Sequence, residues 1–223
     1  MSRVFRTQRP IRLSDTDSTG RLRLDAVARY LQDVASDDWA DAGFESRAHV
    51  WVVRKTWVDV ESPFEDDARV ELATWCSGVA GTSASRRYSL TGDRGGRIEA
   101  ESVWIHLDHS LRPLRLPAAF LETYGASADG RGVATRFVLP SPPAADGDPW
   151  ALRGTDVDRL GHVNNAVYWI PLEERFGPRV RRVELEYRKP VDLGDDARVI
   201  AAADALWITV GGEVRAAAAI LPA

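Results

Sequence analysis

The sequence predicts an α+β fold made of two tandem copies of one unit, each a long helix wrapped by an antiparallel β-sheet. The main observation is an internal repeat, and a helical apolar stripe and alternating strand patterns follow its first motif. Three segments recur in the same order: RxxDxDxxG at 12–20 and 153–161, DDARV at 66–70 and 195–199, and a Gly-Gly strand start at 95 and 211. The offset shrinks along the chain, so the second copy is a shortened version of the first.

Each repeated motif is followed by a segment with helical features. In the first copy an apolar stripe has the i, i+3, i+4, i+7 spacing of a half-buried helix: Leu24, Val27, Ala28, Leu31, Val34 and Ala35. Asp25 and Asn165 each precede Ala-Val and are predicted N-caps, because their side-chain oxygens can accept free helix amides. Pro171 is predicted to kink the second helix, since an interior proline removes a hydrogen bond.

The strands follow the helix in both copies. Segments such as RIEAESVWIHLD and EVRAAAAILP are rich in strand-forming residues, and turns such as GDRGG and VGGE join them as hairpins require. A segment rich in Gly, Pro, Ala and Asp separates the copies. We therefore predict an N-terminal unit at 1–124, a linker at 125–149 and a C-terminal unit at 150–223.

Composition excludes several classes of protein. The net charge of −4 gives no electrostatic reason to expect nucleic-acid binding, and the single Cys76 rules out an internal disulfide or a cysteine-rich metal site. No apolar run approaches the roughly 20 residues that cross a bilayer, and the first ten residues lack the apolar core of a signal peptide. The expected protein is cytoplasmic, with no membrane insertion.

The second copy opens with the most specific motif, DVDRLGHVNNAVYW at 156–169. Together with WVVRKTWVDVESP, ESVWIHLDHSLRPLRLP and LEYRKPVDLGD, it makes nearly the whole chain resemble the acyl-ACP thioesterases of plants and bacteria, whose single chain holds two hotdog units. The resemblance implies hydrolysis of fatty acyl-ACP to free fatty acid without a metal or organic cofactor. It also implies acyl carrier protein, with its phosphopantetheine-linked acyl chain, as the partner.

The resemblance places the family's catalytic aspartate at Asp158 and its histidine at His162. Leu160 stands where the plant enzymes have an asparagine. After LEYR, where the plant enzymes have a catalytic glutamate and cysteine, this chain has Lys189-Pro190-Val191. The chain therefore carries only part of the plant arrangement.

The residue types of this motif suit thioester hydrolysis. Asp158 can activate water as a general base or attack the carbonyl itself. Asn165 and Ala166, at the predicted helix N-terminus, offer backbone amides to the developing oxyanion. His162 can position the water or polarise the thioester, and Asn164 can orient either partner. The alternative interpretation is a polar turn, since aspartates in such motifs are commonly turn residues.

Other charged residues are weaker candidates. Glu173 and Glu174 lie on the second helix, where one could face the site or both could be solvated. Arg181, Arg182 and Arg188 lie in the basic segment 179–189, where they could bind an acidic carrier or its phosphate, or simply be solvated strand positions. The first copy lacks the histidine and both asparagines, so we expect it to bind the acyl chain.

Two other functions fit the same sequence: an acyl-CoA thioesterase and a catalytically silent acyl-binding protein. Five tryptophans on predicted elements could line an acyl tunnel or belong to the core: Trp51, Trp57, Trp75, Trp104 and Trp169. A tandem chain already supplies the pair of units that single hotdog proteins obtain by dimerising, so a monomer is compatible with the fold, and the sequence leaves open whether the protein is a monomer or a homodimer.

Overall fold

The computed structural model describes residues 2–44, 50–177 and 180–221, and it confirms the predicted α+β class. The helices are α1 (Leu24–Asp41), α2 (Ala118–Ala128) and α3 (Trp169–Phe176). The strands are β1 (Phe5–Pro10), β2 (Val50–Ser62), β3 (Arg69–Ala80), β4 (Ser83–Gly92), β5 (Arg97–Leu107), β6 (Asp148–Pro149), β7 (Arg182–Tyr187), β8 (Ala197–Ala201), β9 (Ala205–Val210) and β10 (Glu213–Leu221).

The strands form one antiparallel sheet whose order is β1-β3-β4-β5-β2-β7-β10-β9-β8-β6. Counted inward from either edge, the order is the same: β1-β3-β4-β5-β2 on one side matches β6-β8-β9-β10-β7 on the other. Strands β2 and β7 meet at the centre, where Lys55 pairs with Glu186 and Asp59 with Arg182. The duplication seen in the sequence is thus repeated in the sheet order.

Helix α1 lies against one face of the sheet and buries the predicted stripe. Its apolar residues join a core with side chains from both halves of the sheet. The helix begins at Leu24 after the extended Arg23, so Asp25 is not the N-cap that we predicted. The carboxylate of Asp25 instead accepts hydrogen bonds from the guanidinium groups of Arg23 and Arg29.

Helix α3 has 8 residues, whereas α1 has 18. Pro171 explains the late start of α3, because it has no N–H to donate to the carbonyl of Val167 and an α-helix therefore cannot extend upstream through it. The helix ends early at Gly177, whose backbone has a φ of 53°. The chain enters α3 through tight turns, in which the amide of Trp169 bonds the carbonyl of Ala166. Since Pro171 lies in the first turn of the helix, the predicted kink is absent.

The late start of α3 also corrects the predicted helix N-terminus. Asn165 and Ala166 precede the first helical residue, Trp169, and lie in the entry turns. Asn165 is therefore not an N-cap. Any amide that these two residues offer to a substrate belongs to a turn and gains little from the short helix behind it.

Helix α2 packs beside β3 over a second, smaller core that includes Cys76, Leu116, Phe120 and Tyr124. It ends at Ala128, so residues 125–128 of the predicted linker are helical. Among the helices that the structure describes, none is long and apolar enough to span a membrane.

After α2 the chain crosses the face of the sheet that lies opposite α1. It is held there by Glu186, whose side chain is fully buried and accepts hydrogen bonds from the amides of Val138 (2.6 Å) and Leu139 (3.2 Å). The Arg188 guanidinium bonds both Glu186 and the carbonyl of Leu139. The segment between the two units is thus anchored to the centre of the sheet.

Candidate active site

The two copies of RxxDxDxxG have the same backbone structure. The amide of Asp158 bonds the carbonyl of His162 at 2.9 Å, and the amide of Asp17 bonds the carbonyl of Arg21 at 2.8 Å. In each copy the aspartate also closes a short turn, because Asp158 Oδ1 accepts from the Leu160 amide as Asp17 Oδ1 accepts from the Thr19 amide, both at 2.8 Å. Both aspartates therefore have a structural role in the turn.

The two carboxylates differ in how many donors they meet. Asp17 Oδ1 also accepts from the Thr19 hydroxyl and the Arg21 amide. In the second copy Leu160 replaces the threonine, and the Leu160 amide is the only donor to the Asp158 carboxylate in the described part of the chain. A carboxylate has capacity for about four hydrogen bonds. Asp158 therefore keeps acceptor capacity that Asp17 uses for hydrogen bonds within its own turn.

Asp158 lines a cavity of about 700 Å³, a size typical of small-molecule sites. Next to it are other residues of the second copy: Arg159, Leu160, Asn164 and Asn165. The remaining wall comes from α1 and the strands of the first copy together with α2: Gln32, Ala35, Ser36, Trp39, Trp51, Cys76, Ala84, Ser85, Arg86, Trp104 and Phe120. One cavity thus joins a polar cluster of the second copy to a wall of the first copy that contains four aromatic side chains.

Asn164 connects the polar cluster to α1. Its Oδ1 accepts hydrogen bonds from Gln32 Nε2 at 3.2 Å and from the Ala166 amide at 2.9 Å. The Ala166 amide is therefore already occupied. No described group accepts from the Asn165 amide, which makes it the better of the two predicted oxyanion donors.

Two consecutive hydrogen bonds connect Asn165 to strand β7 through Trp169 and Tyr187. Trp169 Nε1 donates to the Tyr187 hydroxyl at 2.9 Å, and that hydroxyl donates to the Asn165 carbonyl at 3.2 Å. Because a buried polar group is costly to leave unpaired, these two hydrogen bonds fix the orientation of the peptide unit that follows Asn165. The cavity-lining turn is thereby held rigidly on the sheet.

His162 lies beside the cavity but is not among the described residues that line it. Its Nδ1 is 2.6 Å from Asp192 Oδ1, and its side chain is 37% exposed. A carboxylate at Nδ1 favours a proton on that nitrogen and leaves Nε2 as an acceptor when the ring is neutral. The structure thus gives His162 an orienting partner but does not bring it into the group formed by Asp158, Asn164 and Asn165.

Glu173, on α3, lies beside the first copy of the RxxDxDxxG motif. It stands in α3 where Gln32 stands in α1, 141 positions apart, which is the offset of the RxxDxDxxG motifs. Its Oε2 accepts from the Leu24 amide at 3.0 Å, in a cavity that Asp17, Arg23 and Asp25 also line. Burial raises the pKa of the Glu173 carboxyl to about 7. Glu173 therefore lines a different cavity from Asp158, and Glu174 is exposed on the same helix.

The Glu173 carboxyl is expected to make stability depend on pH. Between pH 4.5 and about 7 the folded state keeps a proton that the unfolded state has released, so the free energy of unfolding falls as pH rises through this window. Glu173→Gln keeps an acceptor for Leu24 and should remove that fall, stabilising the protein above the window by on the order of 1 kcal/mol. Urea denaturation below and above the window measures this, with the exposed Glu174→Gln as control. An unchanged pH dependence in Glu173→Gln would contradict it.

The predicted carrier-binding arginines do not surround the cavity. Arg182 is exposed on the face opposite α1, where its Cζ lies 5.7 Å from the Trp57 ring. Arg181 is also exposed, whereas Arg188 is half-buried in its contacts with Glu186. Arg188 is therefore not available to a carrier, because it holds the segment that crosses the sheet. Arg179, in the same predicted segment, lies outside the described residues.

Sequence reasoning missed four residues of interest: Gln32, Arg86, Arg159 and Asp192. Applying the repeat offset to Glu173 would have found Gln32. Arg159 is exposed at the cavity next to Asp158.

Of the predicted tunnel tryptophans, Trp51 and Trp104 line the cavity. The cavity also contains Cys76, where burial raises the pKa of the thiol and so disfavours a nucleophilic thiolate.

Family models match both halves of the chain. The acyl-ACP thioesterase N-terminal domain matches residues 2–124, and the acyl-ACP thioesterase C-terminal domain matches residues 144–211. The chain belongs to the acyl-ACP thioesterase family. The resemblance inferred from the motifs is thereby confirmed.

A relative in sequence and two solved structures are similar to nearly the whole chain. The uncharacterized protein Rv2001 of Mycobacterium tuberculosis is 34% identical over 227 residues, which cover 96% of this chain and 90% of that protein. A 12:0-ACP thioesterase from Umbellularia californica has a TM-score of 0.77 at 19% identity, covering 96% of this chain and 95% of that one. An acyl-ACP thioesterase from Bacteroides thetaiotaomicron also gives 0.77, at 18% identity and coverages of 98% and 97%. The fold is therefore the double hotdog.

Proposed function

We propose that this acyl-ACP thioesterase family member hydrolyses the thioester of a fatty acyl-ACP, with Asp158 as general base. The observation that carries the proposal is the single cavity that joins Asp158, Asn164 and Asn165 to a wall containing Trp39, Trp51, Trp104 and Phe120. Such a cavity can hold an acyl chain against the apolar wall with its carbonyl at the polar cluster.

The proposed reaction needs only groups of the chain and one water. Asp158 takes a proton from water as the oxygen attacks the carbonyl carbon, and the tetrahedral oxyanion is stabilised by the Asn165 amide. The C–S bond then breaks, the thiolate leaves, and the proton on Asp158 returns to the sulfur. Asn164 and Gln32 lie at hydrogen-bond distance from each other and orient the water or the carbonyl.

The division of labour follows the two copies. In the second copy Asp158 retains free acceptor capacity and the Asn165 amide is open, whereas in the first copy the amide of Leu24 is occupied by Glu173. The first copy contributes most of the apolar wall. We therefore assign acyl binding to the N-terminal unit, 1–124, and catalysis to the C-terminal unit, 150–223.

Arg159 is the cation best placed to meet the carrier. It is exposed and lines the cavity next to Asp158, where the phosphopantetheine arm or the acidic surface of the carrier would approach. Long-range attraction between an acidic partner and such a cation favours association and is weakened by salt. An exposed cation at the cavity favours substrates whose acyl group is attached to an anionic carrier over neutral thioesters. CoA also carries phosphates, so acyl-ACP and acyl-CoA must be compared directly.

A thiol-release assay with one acyl group carried by ACP and by CoA tests the proposal. We expect faster hydrolysis of the acyl-ACP, and Arg159→Glu should raise its KM several-fold and reduce its salt dependence. Arg182→Glu is the matched control, because Arg182 lies on the opposite face of the sheet. Preference for acyl-CoA would make the protein an acyl-CoA thioesterase. Tight acyl binding without thiol release would make it a silent acyl-binding protein.

A further inference from the structure

The cavity wall contains a buried cation that hydrolysis does not use. Arg86 lies in β4, lines the cavity and is 8% exposed. Its Nη1 bonds Asp38 Oδ2 at 2.6 Å and Thr74 Oγ1 at 3.2 Å. Both of these side-chain bonds use the same nitrogen. The Tyr124 hydroxyl also interacts with the guanidinium, and the N–H groups that remain are available to a ligand in the cavity.

The carboxylate that bonds Arg86 is shared with a second guanidinium. Asp38 is fully buried and serves two cations, since its Oδ1 accepts from Arg3 Nε at 2.7 Å while its Oδ2 accepts from Arg86. Asp41, the second carboxylate bonded to Arg3, is 58% exposed and screened by solvent. Among the described residues Asp38 is the one carboxylate bonded to Arg86, and it is shared with Arg3, whose side chain is 25% exposed. A further acceptor in the cavity would complement a guanidinium that shares its carboxylate.

The neighbouring wall offers a further donor. The indole N–H of Trp51 is buried and has no hydrogen-bond partner among the described residues, and its ring lines the cavity. The ring of Trp104 also lines the cavity, but its indole N–H lies next to the Tyr88 hydroxyl. A buried donor without an acceptor costs about 1–3 kcal/mol. A purely hydrocarbon chain would leave the Trp51 N–H and the remaining N–H groups of Arg86 unpaired.

The donors lie away from the proposed reaction centre. Gln32, which contacts Asn164, and Asp38, which contacts Arg86, are six residues apart on α1, a separation of about 9 Å along the helix axis. Because a thioester carbonyl at Asn164 cannot also reach Arg86, the group that meets Arg86 belongs to the distal part of the acyl chain.

We infer that this cavity selects acyl groups that carry an oxygen function, a hydroxyl, oxo or carboxylate group, at the end distant from the thioester. The inference rests on the proposed thioesterase function and specifies its substrate class. The oxygen would accept hydrogen bonds from Arg86, with the aromatic rings of Trp51 and Trp104 enclosing the chain.

The first test uses the parent protein with pantetheine thioesters of matched chain length that end in a methyl, a hydroxyl or a carboxylate group. At the best chain length we expect the oxygenated substrates to have a kcat/KM roughly 10- to 100-fold higher, as for a hydrogen bond to a charged group. Equal or faster hydrolysis of the methyl-terminated series would overturn the inference and leave the thioesterase function intact.

The second test compares Arg86→Gln with Arg87→Gln. Arg87 is the next residue of β4 but is exposed, with its Cζ 5.4 Å from the Trp57 ring on the opposite face. Arg86→Gln should abolish the preference for oxygenated substrates, whereas Arg87→Gln should keep it. A preference that survives in a folded Arg86→Gln protein would refute the role of Arg86. If Arg86→Gln does not fold, the parent substrate series decides.

A separate measurement distinguishes failure of the proposed function from failure of the inference. If no thioester is hydrolysed, the thioesterase proposal fails, and the shift in Tm caused by the corresponding free acids then reports on acyl selection alone. A larger shift with the ω-hydroxy and ω-carboxy acids than with the plain fatty acid supports the inference. An equal or smaller shift rejects it.

Discussion

Replacing Asp158 by asparagine is expected to lower kcat by at least roughly 100-fold, because a positioned general base contributes about 10²- to 10⁴-fold in rate. The substitution keeps the side-chain oxygen that accepts from the Leu160 amide, so the turn and the Tm should change little. Steady-state kinetics on an acyl-ACP, with a thermal melt of the same preparation, measures both quantities.

The repeat supplies the control for this substitution. Asp17 has the same backbone structure and turn-closing role, so Asp17→Asn should leave kcat within a few-fold of the parent. His162→Ala should fall between the two, because the histidine only borders the cavity. Near-parental turnover in a folded Asp158→Asn protein would show that the motif is merely a turn, and would direct attention to the cavity of the first copy and its Glu173.

Filling the apolar part of the cavity is expected to have the second large effect. Ala84 is 5% exposed and its side chain lines the cavity, so Ala84→Phe should occupy space that an acyl chain needs. Displacing four methylene groups would forfeit about 3 kcal/mol of burial, equivalent to a fall of roughly 100-fold in kcat/KM for long acyl groups.

Substrate length provides the internal control for Ala84→Phe. A short acyl thioester does not reach the filled region, so its kcat/KM should remain within a few-fold of the parent value. A circular dichroism melt shows whether the added ring is accommodated in the cavity. An equal loss of activity on short and long substrates in a folded variant would mean that the acyl chain lies elsewhere.

Local patterns were sufficient for much of the fold. The spacing from Leu24 to Val34 determines a helix face, and the structure buries those residues against the sheet. The pattern failed in the second copy because Pro171 has no amide hydrogen, which delays the helix to Trp169 and leaves Asn165 in a turn. The single residue Pro171 therefore gives the second copy a different local structure, although the two copies are similar overall.

The site depends on contacts that local patterns do not contain. Adjacent arginines in β4 point to opposite faces, and the strand register decides that Arg86 rather than Arg87 meets the cavity. Gln32 reaches Asn164 only because the two halves of the sheet join at β2 and β7. Arg188 was predicted as a carrier-binding residue, but the segment after α2 crosses the sheet there and its Leu139 carbonyl accepts a hydrogen bond from the Arg188 guanidinium.

The central pairing of β2 with β7 has an evolutionary consequence. In a symmetric dimer of identical chains, every substitution appears twice and alters both equivalent sites together. Here the two positions related by the repeat are encoded separately, so one can be a carboxylate, Glu173, and the other an amide, Gln32. Covalent fusion into one sheet thus allows one pocket to specialise without any change in its twin.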